Sequence, residues 1–310
     1  MIPSLLITGS SGFLGRRVLS RLAEAHRDHV RLLLREPDSV ASAFEMQSGW
    51  QFIRGTLEAP GVLEDALDGV DTVVHLASST GKVARRVHEK VILEGTQRLV
   101  SLSQKAGVRR FLFVSSVAAG FADRRYYHYA EAKRRAEDAV RGSSMDTLIV
   151  RPTMIFGRQS AALTALRRLA PLPVPIVFGS GAAHVQPIDV DDLAAILTAA
   201  IDMTGSWHDA TITVGGPEVL ATETLIRRLR VSAGRAASRV VHVPIEPLRS
   251  LLASMERVLL PVLPFSAGQL TSFVNVSEAG APGAPLPALL ASMNRPLRSV
   301  EDMIADARAS

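Results

Sequence analysis

The chain has 310 residues, 47% of them hydrophobic, which suits one α/β domain with an appended lobe or two domains. It contains no cysteine, which excludes a disulfide framework, a zinc–thiolate site and a cysteine nucleophile, and fits a reducing, cytoplasmic setting. The net charge is +5, but the arginines are scattered, mostly as RR pairs on helical stretches, and read as solvated helix faces rather than a nucleic-acid surface.

The chain enters a strand-like run, "SLLIT" (4–8), with no basic leader before it. A helix follows from about 12 to 26, with Phe13, Val18, Leu19 and Leu22 as its apolar side. Further strands are predicted at 29–34, 51–54, 71–77, 110–115 and 146–150, with helical patterns between most of them, notably over 84–106 and 126–141. Near-continuous apolar strands alternating with helices predict a parallel sheet covered on both faces, the doubly wound α/β class. After Arg151 the pattern changes. Residues 170–187 are rich in proline and glycine, helices are expected at 191–203, 222–233, 246–260 and 298–308, strands at 211–216 and 238–243, and a loop at 278–287. The expected division is a dinucleotide-binding domain over 1–157 and a smaller, mostly helical substrate lobe over 158–310, with about 186–216 returning to the first domain. No apolar run approaches the roughly 20 residues of a membrane span; the most apolar short piece, "VLLPVLPF" (258–265), is broken by two prolines. There is no internal repeat.

"ITGSSGFLG" (7–15) spaces Gly9, Gly12 and Gly15 as G-x-x-G-x-x-G. It follows a strand, opens a helix and lies at the first strand-to-helix turn, the context in which such glycines let backbone N–H groups approach a pyrophosphate. The second strand ends in "LLLREP", placing Arg35 where NAD enzymes carry an acidic residue, so a 2′-phosphate and NADP(H) are expected, with NAD(H) the alternative because Glu36 follows. Arg16 and Arg17 lie just past Gly15.

All three tyrosines fall in "RRYYHYAEAKRRAE" (124–137). Tyr129 and Lys133 are four apart and share a helix face, whereas Tyr126 is two turns from the lysine and Tyr127 lies on another face. A phenol titrates near 10, and a neighbouring ammonium lowers that value toward the range useful for acid–base catalysis.

These segments, with "GVDTVVHLAS" (69–78), "FLFVSS" (111–116), "IVRPTMIFG" (149–157), "QPIDVDDLA" (186–194) and "VGGPEVL" (214–220), resemble the extended and atypical short-chain dehydrogenases/reductases, the NAD-dependent epimerase/dehydratase family, from about Leu5 to Gly216. The resemblance implies a Rossmann-type sheet, Tyr129 as general acid/base, Lys133 as its tuner and the holder of the nicotinamide ribose, and Ser116 as the hydroxyl on the reacting oxygen, with Ser115 the fallback. It implies cofactor contacts from Thr8, Gly9, Ser11, Gly12, Phe13, Leu14, Gly15, Arg35, Leu57, Leu76, Ala77, Ser78, Lys133, Pro152, Thr153 and Ile155. Two positions depart from the family pattern. Thr56 replaces an aspartate that faces the adenine, and Ile92 replaces an asparagine that orders a relay water.

Other residues read as structural. His75 is expected to pack and hydrogen-bond locally, and Asp189, Asp191 and Asp192 to cap and charge a helix start rather than bind a metal. His184 and Gln186 are weak candidates for substrate contact, His128 is expected to be exposed, and 246–264 to serve as core or lid. The expected function is an NADP(H)-dependent oxidoreductase acting on a carbonyl or secondary alcohol of a small-molecule substrate. A nucleotide-sugar epimerase or dehydratase with tightly held cofactor is the first alternative and a non-catalytic cofactor-binding protein the second. A helix-paired homodimer is compatible with the resemblance.

Overall fold

The computed structural model describes residues 4–306, apart from 45–46, 48, 171, 237–238, 260–265 and 274. The first strand shows why its sheet is covered on both sides. In β1 (Leu5–Thr8), Leu5 and Ile7 enter one core and Leu6 the other, all fully buried. The turn after it leads into α1 (Phe13–Glu24), which stops where His26 takes the left-handed conformation. Then come β2 (Val30–Leu34), α2 (Asp38–Phe44), β3 (Trp50–Arg54), α3 (Pro60–Leu67) and β4 (Thr72–His75).

The helical pattern at 84–106 is not one α-helix. It divides into α4 (Arg85–His88), a π-helical turn (Glu89–Glu94) and α5 (Gly95–Lys105). Gly95 is a weak helix former, and a Cβ there would meet Leu57 Cδ1 at 2.9 Å. The hydroxyl of the next residue, Thr96, donates to Ile92 O at 2.5 Å, a side-chain bond of the kind that disturbs helical ladders. β5 (Arg110–Val114), a 3₁₀ turn (Val117–Gly120), α6 (His128–Arg141) and β6 (Asp146–Pro152) complete the alternation.

Past this point β7 (Ile155–Phe156), α7 (Ala161–Leu169), β8 (Ile176–Phe178), β9 (His184–Val185), β10 (Ile188–Asp189) and α8 (Val190–Asp202) lead to β11 (Ala210–Val214). β11 pairs in parallel with β6 and completes a seven-stranded, all-parallel sheet in the order β11–β6–β5–β4–β1–β2–β3. The order reverses between β1 and β4, and ligands of such sheets bind outside the carboxyl ends of the strands at that point. One face carries α1 and α8, the other α3, α5 and α6.

The rest of the chain forms β12 (Leu220–Ala221), α9 (Thr222–Ser232), β13 (Val241–Val243), α10 (Ile245–Leu259), α11 (Ala267–Thr271), α12 (Leu286–Ala291) and α13 (Val300–Asp306). The strand expected at 238–243 is reduced to its last three residues, and Ser238 lies outside the described residues. Phe156, Leu163, Leu225, Ile226, Val300 and Met303 form one apolar core of this lobe. Ile245 and Leu252 of α10 pack with Phe178, Ala267 and Leu270 in another, so the described part of 246–264 contributes core. Most of "VLLPVLPF" lies outside the described residues. The loop expected at 278–287 gives way to α12, whose Leu286 and Leu289 join the core beneath α8 on the sheet side. Among the described residues no helix is long and apolar enough to cross a membrane.

Candidate active site

The glycine-rich turn is built by close backbone packing. Gly9 has φ +76°, and a Cβ on it would lie 2.6 Å from Leu76 C and from Ala77 Cα. A Cβ on Gly15 would lie 2.6 Å from Ser10 Cα and 2.7 Å from Ser10 O. Two of the three glycines thus bring β1, α1 and the strand end at Leu76–Ala77 together, while Gly12 is exposed and opens α1 with no side-chain cap. An uncapped helix start beside a turn this tight fits a pyrophosphate. Ser11 is exposed and Phe13 and Leu14 are half-buried around it. Arg16 Nε donates to Ser11 O at 3.0 Å, and Arg17 pairs with Asp191 at 3.3 Å.

Arg35 is exposed at the end of β2 and carries no ion pair among the described residues. Thr56 Oγ1 accepts from Glu58 N at 3.2 Å and so serves its own turn, while Leu57 packs against Gly95. Pro152 and Thr153 are buried; Thr153 donates to Gln186 O, and Ile155 pairs with Ile188.

Tyr129 lies in the first turn of α6. Its phenol faces the hydroxyls of Ser116 and Ser78, which favour the phenolate, but burial is the larger effect and pushes its pKa up. Ser116 is extended (φ −162°, ψ 148°) and caps the 3₁₀ turn, accepting from Ala118 N at 3.2 Å. Ser115 faces the other way, donating to Glu137 Oε1 at 2.6 Å.

Lys133 departs from the simple expectation of an ammonium paired with the phenol. Its Nζ reaches β5 and donates to Val114 O at 2.7 Å, above the Phe113 ring at 4.7 Å. The side chain is 1% exposed, and burial pushes its pKa down to about 7 against the pull of Glu137. Glu137, one turn on, is fully buried and is held as a carboxylate by Arg151 (2.6 and 2.8 Å), Arg141 (2.7 Å) and Ser115.

His75 is structural. It is fully buried, stacks on Phe113 and bridges Thr8 Oγ1 (2.6 Å) to Thr96 Oγ1 (2.9 Å), and burial lowers its pKa to about 3. Because Thr96 donates to Ile92 O, the ring donates from Nε2 to Thr96 and accepts at Nδ1 from Thr8. Ile92 itself is buried in the core of the α5–α6 face.

Asp189 caps α8 by accepting from Asp191 N at 2.8 Å, and Asp192 pairs with Arg295 at 2.6 Å. Gln186 is tied into the fold at both ends of its amide: its Nε2 donates to Gly216 O and its Oε1 accepts from Ala279 N, both at 2.7 Å. His184 pairs with Glu278 at 3.3 Å. His128 is half-buried rather than exposed, on a cavity of about 340 Å³ that it shares with Arg85, Arg124 and Arg135.

Sequence reasoning missed His88, whose ring stands edge-on to that of Tyr129 with centroids 5.7 Å apart and whose Nδ1 meets Ser79 Oγ at 2.9 Å. Its place one helical turn before Ile92 was the available signal. It also read Ser78 as cofactor wall alone, although its buried hydroxyl lies toward the phenol and has no hydrogen-bond partner among the described residues.

The family of NAD(P)H-binding proteins matches residues 9–202. The chain is 31% identical over 193 residues to a ceramide reductase from Caulobacter vibrioides, across 62% of this chain and 59% of that protein. It is 26% identical over 303 residues, 97% of each chain, to the (4-alkanoyl-5-oxo-2,5-dihydrofuran-3-yl)methyl phosphate reductase of Streptomyces griseus. Among solved structures, gox2253 superposes with a TM-score of 0.75 at 22% identity over 99% of this chain and 97% of its own. DesIV, a dTDP-glucose 4,6-dehydratase from Streptomyces venezuelae with NAD bound, superposes with a TM-score of 0.72 at 20% identity over 98% and 95%. The chain belongs to the NAD(P)H-binding family and is an NAD(P)-dependent enzyme of the extended short-chain dehydrogenase/reductase type.

Proposed function

We propose that this enzyme uses NADP(H) to interconvert a carbonyl and a secondary alcohol on a small-molecule substrate. The observation that carries the reading is the Tyr129 phenol facing Ser116 and Ser78, the latter next in the chain to Ala77, which packs against Gly9 of the glycine turn. When bound, the nicotinamide supplies or accepts the hydride. Tyr129 Oη gives its proton to the reacting oxygen in reduction and takes one back in oxidation. Ser116 Oγ already accepts from Ala118 N–H, which leaves its O–H free to donate to that same oxygen. Lys133 spends one donor on Val114 O and keeps at least one more, as amine or ammonium, for a ribose hydroxyl. Leu76, Ala77, Pro152, Thr153 and Ile155 wall the cofactor, and the lobe after residue 157 covers the substrate.

The reductase direction is supported by two of the relatives, both named as reductases. NADP(H) is supported by the exposed guanidinium of Arg35 at the end of β2. A second reading, an epimerase or dehydratase that retains NAD, is favoured by Glu36 beside that arginine.

The test is binding of NADPH and NADH to the purified protein, followed by nicotinamide fluorescence, for wild type and Arg35→Ala. The expected result is tighter NADPH binding that Arg35→Ala weakens by about tenfold or more, with NADH little changed. Preference for NADH, or no effect of the arginine, overturns the NADP(H) assignment and moves the weight to the second reading. In a carbonyl and alcohol screen, Tyr129→Phe is expected to bind cofactor and lose nearly all turnover.

A further inference from the structure

The loop joining Ser116 to Tyr129 is held by the second lobe. Arg249 of α10 is fully buried, and its Nη1 donates to Asp123 Oδ2 at 2.9 Å and its Nη2 to Glu246 Oε1 at 2.5 Å. Asp123 also accepts from Arg125 N and Arg125 Nη2, both at 3.0 Å, and Arg125 lies 3.6 Å from Glu246. The four charges alternate around a closed ring, two on the loop and two on α10.

Two further contacts bind the same loop. Asn275 Nδ2 bridges Asp123 O (3.0 Å) and Thr271 O (2.9 Å), and Thr271 Oγ1 donates to Arg125 O at 3.3 Å. Gly268 of α11 lies so close that a Cβ on it would meet Tyr126 O at 2.8 Å and Tyr127 Cα at 3.0 Å. Tyr126 is held with φ +62°, a conformation a tyrosine adopts only under external constraint. Tyr127, the next residue, stands at the cap of α6, with its ring 5.7 Å from that of Tyr129. Burying a guanidinium is expensive, and apolar contacts of the same volume are often as stable, so the ion pair fixes a position more than it adds stability.

We propose that Arg249 and Asp123 are positioning residues: their ion pair fixes the start of α6, and with it the Tyr129 phenol against Ser116, so that the seating of the second lobe sets the acid–base geometry. The proposal rests on the reading of Tyr129 as the acid/base. A lobe displaced from the loop releases Asp123, lets Tyr126 relax from its left-handed conformation, and opens the first turn of α6 to water.

The three tyrosines make this measurable without a substrate. Protein labelled with 3-fluorotyrosine gives three ¹⁹F resonances, and Tyr129→Phe identifies the one from Tyr129. Arg249→Met and Asp123→Asn are expected to move that resonance and to lower its titration midpoint by about half a pH unit or more, toward an ordinary exposed phenol. NADPH affinity should stay within about twofold of wild type, since the glycine turn is untouched. Arg249→Lys, which keeps a cation facing Asp123, should restore the midpoint. A Tyr129 resonance and midpoint unchanged in Arg249→Met and Asp123→Asn overturns the proposal, as does an Arg249→Lys midpoint displaced as far as that of Arg249→Met. Should those variants not fold, Gly268→Ala, with the ion pair intact, decides: shifted Tyr127 and Tyr129 resonances support it and an unmoved Tyr129 overturns it. Failure of wild type to bind NADPH sinks the proposed reaction instead, and leaves the coupling to be judged by the ¹⁹F titration.

Discussion

Replacing Lys133 by methionine is expected to stabilise the fold while removing a functional group. The ammonium is 1% exposed and its pKa falls from 10.5 to about 7, chiefly through burial. At about 1.4 kcal/mol per pH unit, the charged form is penalised by roughly 5 kcal/mol. Methionine fills similar space without that penalty but leaves Val114 O without its donor, which costs about 1–3 kcal/mol. The net expectation is a gain of roughly 2–4 kcal/mol near pH 6–7.

The sign with pH is fixed by linkage. Between pH 7 and 10.5 the unfolded chain holds the lysine proton that the native state has released, so wild-type stability from this group rises with pH across that window. Lys133→Met lacks that slope. Its advantage should therefore shrink by roughly 3 kcal/mol from pH 6 to pH 9. Urea unfolding of both proteins at pH 6, 7 and 9 measures this. A variant less stable than wild type at pH 6, or an advantage that does not change with pH, refutes the burial argument.

Three further outcomes follow from the same structure. Gly15→Ala forces a methyl against Ser10 and should cost about 1–3 kcal/mol, with NADPH affinity falling by about tenfold or more; wild-type affinity in that variant would show the turn to be tolerant. His75 is neutral in the native state, so below pH 6.5 wild type should lose about 1.4 kcal/mol per pH unit as the unfolded chain takes up the proton. His75→Asn should begin less stable but show a flatter acid limb in thermal unfolding, and equal slopes would contradict the assignment. Glu137→Gln leaves Arg151 and Arg141 facing an uncharged amide in a buried site and should cost about 3–5 kcal/mol, read from the urea midpoint; a loss below about 1 kcal/mol would mean that water solvates the arginines.

The sheet was legible because its strands are short, apolar runs buried on two faces, and helical periods separate them. The strand expected at 110–115 and the one found at 110–114 differ by a single residue. The π-helical turn was not legible. It depends on Gly95 meeting Leu57 across 38 residues of chain and on the Thr96 hydroxyl, neither of which alters the apolar pattern. Tyr129 and Lys133 could be paired from their spacing, but spacing on a helix says nothing of depth. The lysine turns inward because Val114 offers a carbonyl and Glu137 a carboxylate, and both are placed by tertiary packing. The Arg249–Asp123 pair spans 126 residues and joins two unremarkable charged stretches, so no local pattern announces it.

The two serines at the end of β5 show how backbone geometry divides a role that sequence leaves shared. Successive residues of an extended chain present opposite faces. Ser115 therefore turns under the sheet to Glu137, and its N–H bonds Val150 O at 2.7 Å, while Ser116 turns outward to the phenol. The two cannot exchange duties without a shift of one residue in the strand, and that shift would move every side chain of β5 into the wrong core. Ser115→Ala should therefore act through Glu137, lowering stability by about 1–3 kcal/mol while leaving the Tyr129 titration in place. Ser116→Ala should cost about 1 kcal/mol for the lost cap on Ala118 N–H and raise the Tyr129 midpoint because a hydroxyl that favours the phenolate is gone. Urea unfolding and the ¹⁹F titration together separate these outcomes, and a Ser115→Ala variant that moves the Tyr129 midpoint as far as Ser116→Ala does would refute the division.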